Sequence, residues 1–111
     1  MPYTNRADFI AGLHALAAYL DLNPTVPHPE FSTDVLVHAR GTDEVAFAEV
    51  DRVARLLGVA VRDETARGGH YEAIRRFGPI EYRSLAIPAA VRAAHHARQS
   101  HTCQVPDSQA A

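Results

Sequence analysis

The sequence predicts an α/β (α+β) fold, a two-layer sandwich in the order α-β-α-β-β-β-α, with a four-stranded mixed sheet and helices on one face. Three observations predict it. Apolar residues recur at three- and four-residue steps in two segments, they alternate in shorter β-branched runs, and Gly or Pro stands at the junctions. With 111 residues, 47% of them hydrophobic, the chain can build one core but not two. Residues 1–99 are therefore read as a single α/β domain and 100–111 as a flexible polar tail.

The first helix is capped by Thr4 or Asn5 and carries Phe9, Ile10, Leu13, Leu16, Ala17 and Leu20 on its apolar side, with Asp8 in the first turn. Asn23-Pro24 stops it near Leu22, and Pro24, Pro27 and Pro29 hold the following connector extended. Thr33 to Ala39 alternates and is read as a strand. Gly41-Thr42 then opens a second helix, Asp43 to Leu57, whose inner face is Ala46, Val50, Val53, Ala54 and Leu57 and whose Asp51 and Arg55 are spaced to pair outside. Gly58 ends it. A strand over Val59–Glu64 follows, and the two strands with the helix between them predict a βαβ unit of right-handed crossover.

After the loop Thr65–Gly69, His70–Phe77 and Ile80–Ile87 form a hairpin about Gly78-Pro79. With Phe77 opposite Ile80, Arg76 faces Glu81, Arg75 faces Tyr82 and Ile74 faces Arg83. Pro88 opens a last helix, Ala89 to about Gln99, whose apolar face of Val91 and alanines is shallow. A last helix that leaves one sheet face bare would expose Tyr71, Phe77, Ile80 and Tyr82 as an apolar strip suited to a dimer or a partner protein.

Composition narrows the function classes. All eleven basic residues are Arg, and the net charge of −2 argues against a surface that is basic throughout. A lone cysteine, Cys103, fits a reducing cytoplasm. No secretory signal pattern opens the chain and no apolar stretch is long enough to cross a bilayer, so a cytoplasmic protein without membrane contact is expected.

The sequence holds no Walker A, dinucleotide-binding or nucleophile-elbow pattern, and its carboxylates are scattered. His95, His96, His101 and Cys103 are zinc-ligand types, but His95 and His96 point about 100° apart on a helix and neither has a second ligand one turn on. No catalytic residue, metal or cofactor is assigned. The one promising cluster lies on the hairpin: Tyr71, Arg75, Arg76, Tyr82 and Arg83, with His70, combine aromatic platforms and guanidinium groups that suit a protein partner or stacked bases and phosphates. The competing arrangement pairs Arg76 with Glu81 and Arg83 with Glu72 and packs the tyrosines under a helix.

The first helix running into Leu20-Asp21-Leu22-Asn23-Pro24-Thr25-Val26-Pro27, the passage to Leu56-Leu57-Gly58-Val59, and Arg75-Arg76-Phe77-Gly78-Pro79-Ile80-Glu81-Tyr82 carry a resemblance. Over roughly the first 88 residues the chain is similar to uncharacterised small α/β proteins of actinobacteria and their phages or mobile elements. The resemblance implies an intracellular accessory protein and transfers no catalytic residue. The expected function is a non-catalytic module acting through protein–protein interaction or self-association as a homodimer, the alternative being a nucleic-acid-binding regulator that uses the hairpin arginines.

Overall fold

Asn5 starts the first helix, α1 (Arg6–Leu22): its Oδ1 accepts from the Asp8 N–H at 2.8 Å while its Nδ2 donates to the Asp8 carboxylate at 2.9 Å. One open N–H of the first turn is thereby satisfied, and the second bond holds the capping side chain in place. Asn23 ends the helix by donating from Nδ2 to the Tyr19 carbonyl, and Pro24 lies in the turn closed by the Val26 N–H on the Asn23 carbonyl. The computed structural model describes residues 5–102, in two units, one ending at Phe31 and one beginning at Ser32. In the first unit, α1 buries none of its residues.

The second unit holds a four-stranded mixed sheet of β1 (Thr33–His38), β2 (Arg62–Asp63), β3 (Tyr71–Phe77) and β4 (Ile80–Ala86), with α2 (Asp43–Leu57) and α3 (Ala89–Thr102). The spatial order is β1-β4-β3-β2, with β1 parallel to β4 and the other pairs antiparallel. The hairpin has the expected register, Phe77 opposite Ile80 and Ile74 opposite Arg83. Its two-residue turn requires a positive φ at the first position, which Gly78 supplies at 61°.

The expected βαβ unit is present in split form, β1 and β2 running parallel and joined through α2. β1 and β2 occupy opposite edges of the sheet, and the hairpin strands lie between them. The second of these strands is also shorter than Val59–Glu64. Val59 donates to the Ala54 carbonyl to close the end of α2, and Val59 and Val61 pack against the core. Asp63 accepts from both the N–H and the hydroxyl of Thr65, which turns the chain into a 3-10 turn over Thr65–Arg67 after two paired residues.

Helix α2 is capped by Thr42, whose Oγ1 accepts from the Val45 N–H at 3.3 Å. Its buried stripe, Ala46, Val50 and Ala54, meets Ala73 and Ala86 of the sheet. Four of these five residues are alanine, which lets helix and sheet approach closely. The ring of Phe47 stacks on Tyr71 with centroids 4.4 Å apart and planes 14° from parallel. One turn on from Phe47, Asp51 accepts from the Tyr71 hydroxyl at 2.5 Å. The expected Asp51–Arg55 pair does not form, because Asp51 lies on the flank of the helix turned to β3. Arg52 pairs instead with Glu49 at 2.7 Å. At the other end of the chain, Asp43 accepts from the Ala89 N–H at 2.9 Å and ties the start of α3 to the start of α2.

The hydrogen bond to Asp51, with burial and the carboxylate charge, pushes the Tyr71 phenol up from 10.0 to about 12. The fold therefore favours the protonated phenol. Its contribution is whole below pH 10.0 and is lost as pH rises toward about 12. Urea melts between pH 7 and the alkaline range are expected to show stability falling across that window, and Tyr71→Phe to flatten the fall while costing about 1–2 kcal/mol at neutral pH.

Candidate functional site

Alternation along the paired strands sorts the hairpin side chains onto two faces. Tyr71, Arg75 and Phe77 share a face with their opposites Ala86, Tyr82 and Ile80, and α2 packs on it. Glu72, Ile74 and Arg76, with Leu85, Arg83 and Glu81, lie on the other. The structure thus divides the cluster singled out in the sequence. Tyr71, Arg75 and Tyr82 stand on the helix side and Arg76 and Arg83 on the opposite side, so the five residues do not make one platform.

Each placement has a structural use. Tyr71 is held between Phe47 and Asp51. Arg75 donates to the Leu57 carbonyl at 3.0 Å, satisfying the last turn of α2, and its guanidinium lies 5.4 Å from the centre of the Phe77 ring. Tyr82 is half-buried on the same face. Phe77 and Ile80, at the turn, remain exposed, so of the expected apolar strip only this end is open.

The opposite face is an ionic lattice. Arg83 donates to Glu72 of β3 at 2.8 Å and to Glu81 of β4 at 2.9 Å, and its Nε lies 3.6 Å from Asp34 of β1. Arg76 donates to Glu81 at 2.9 Å, and Arg62 of β2 stands 4.0 Å from Glu72. Three arginines meet three carboxylates, and Glu72 and Glu81 are buried, 7% and 8% exposed. The hydrogen bond from Arg76, then the charges of Arg76 and Arg83, hold the Glu81 carboxyl below its ordinary 4.5, against the opposing effect of burial. Asp34 and Arg62 were missed in the sequence, since only the order of strands brings them to Arg83 and Glu72.

A second feature lies in α1. Phe9, Leu13, Leu16 and Leu20 follow at steps of four, three and four, the spacing of a coiled-coil seam. Phe9, Ile10, Leu13, Leu16 and Tyr19 are 42–55% exposed. The helix is about 25 Å long at 1.5 Å per residue.

Among the described residues no three His, Cys, Asp or Glu side chains are grouped to hold a metal ion, and no helix is long and apolar enough to cross a membrane. His96 is exposed on α3; the side chains of His95 and His101, and the whole of Cys103 and the expected tail from 103 on, lie outside the described residues. Comparison with protein-family models, curated proteins and solved structures finds no match to the chain.

Removing Arg83 leaves two buried carboxylates facing each other without their shared cation. Arg83→Ala is expected to cost about 2 kcal/mol or more in urea melts, between the ranges for exposed and buried pairs, whereas Arg62→Ala, exposed and 4.0 Å from its acid, changes stability by under about 0.5 kcal/mol. Because Glu81 is held below 4.5, its stabilising contribution is present above that pH and lost as pH falls through its lowered value. Acid titrations of Glu81→Gln should show a shallower loss of stability below pH 4.5 than the parent chain.

Proposed function

We propose that this chain is a non-catalytic, cytoplasmic accessory module that works by protein–protein association, as a homodimer paired through α1. The carrying observation is the seam of Phe9, Leu13, Leu16 and Leu20 on a helix that buries none of its residues. A helix of 17 residues is marginal alone in water and draws most of its stability from packing an apolar face. A two-fold pairing supplies that face from the same stripe of a second copy.

The hairpin gives little support to a nucleic-acid-binding regulator. Arg76 and Arg83 are engaged with carboxylates, Arg75 with a backbone carbonyl, and the aromatic and cationic groups are divided between faces.

Size-exclusion chromatography with light scattering tests the reading. The expected mass is twice the 12.1 kDa of one chain. Leu13→Asp and Leu16→Asp are each expected to weaken association at least about 100-fold, the scale of a lost central anchor. Ala11→Asp, on the opposite side of the helix, carries the same charge and leaves the dimer intact. A parent chain that stays monomeric at its highest soluble concentration overturns the proposal.

A further inference from the structure

Strands β1 and β4 are parallel neighbours, so their C-terminal ends fall at the same end of the sheet, where open α/β sheets commonly hold ligands. The connections that follow them, toward α2 and α3, border a cavity of about 340 Å³ lined by His38, Ala39, Arg40, Gly41, Ile87 and Arg92. Two guanidinium groups and an imidazole line it, and no carboxylate does.

Most arginines of the sheet unit are paired with acids. Arg52, Arg62, Arg67, Arg76 and Arg83 all face carboxylates within 4.0 Å. Among the described residues of this unit Arg40, Arg55, Arg75 and Arg92 have no such neighbour; Arg75 is engaged with the Leu57 carbonyl, and Arg40 and Arg92 line the cavity. The carboxylate closest to the cavity in sequence, Asp43, is committed elsewhere: it accepts from the Ala89 N–H and borders a different, more apolar cleft with Phe47, Thr65 and Val91. Two like charges with no internal counterion are thus brought to one cavity from positions 52 residues apart.

We infer that this cavity binds a small phosphate-bearing molecule, with the phosphate held between Arg40 and Arg92. Guanidinium groups present paired N–H donors that match a tetrahedral oxyanion, and the His38 ring adds a further N–H. Ile87 and Ala39 give the remainder of the molecule an apolar wall, and the volume suits a small ligand. The inference is independent of whether the chain dimerises.

Amide NMR spectra of the isotope-labelled full chain, titrated first with inorganic phosphate and then with phenyl phosphate at constant ionic strength, test it. Saturable shifts are expected at Gly41 and Arg92, with phenyl phosphate the tighter of the two. Arg40→Ala and Arg92→Ala should each weaken binding at least about tenfold. Arg55→Ala, which removes an exposed arginine outside the cavity, should not. Shifts that chloride reproduces, that survive loss of both Arg40 and Arg92, or that Arg55→Ala abolishes equally overturn the proposal. So does tight binding of a single-stranded oligonucleotide by a chain that phenyl phosphate leaves unchanged.

Discussion

The sheet depends on one cation. Arg83 stands on an inner strand between a parallel and an antiparallel neighbour, and its guanidinium reaches Glu72 on one side, Asp34 on the other and Glu81 two residues back on its own strand. Desolvating charges is costly, so such a group is weak evidence for stability in itself. Its effect on register is stronger. A slip of β4 by one residue would carry Arg83 to the face packed by α2 and leave Glu72 and Asp34 on the neighbouring strands without it. The lattice thus penalises the pairings that a sheet with few large apolar residues would otherwise tolerate.

The opposite face shows why such a constraint is needed. The buried stripe between α2 and the sheet is Val50 with alanines 46, 54, 73 and 86. Each alanine removes little apolar area from water, at about 0.8 kcal/mol per buried methyl-sized group, and a row of alike small groups permits sliding. Two polar ties prevent it. Tyr71 reaches Asp51 in the middle of α2, and Arg75 reaches the Leu57 carbonyl at its end, both from the same strand. They fix the helix along its axis and in rotation, which close-packed alanines alone leave open.

Local features were legible in the sequence and long-range ones were not. Asn5, Thr42 and Gly58 announce helix ends because capping is chemistry within a few residues, and Gly78-Pro79 sets the hairpin register because a two-residue turn leaves no slack. That register already implies the division of the hairpin cluster, since Arg75 opposite Tyr82 and Ile74 opposite Arg83 place neighbouring arginines on opposite faces. The split position of β1 and β2 had no such signal. Parallel pairing of β1 with β4 joins segments separated by two strands and a helix, and Val59–Glu64 has the alternation of a longer strand until Asp63 finds Thr65. The meeting of Arg40 with Arg92 follows from that pairing, so it too was hidden.

Helix α1 poses the remaining physical question, which is how its apolar seam is kept from water. Its caps are good at both ends, yet caps contribute only about 1 kcal/mol each, and the seam holds four large side chains. Under the pairing proposed above, helix formation and association become a single equilibrium. The order of α1 then depends on protein concentration, while the second unit, whose ionic lattice and Tyr71 ties lie within itself, does not. On that proposal, dilution reduces helix content in α1 before it disturbs the sheet.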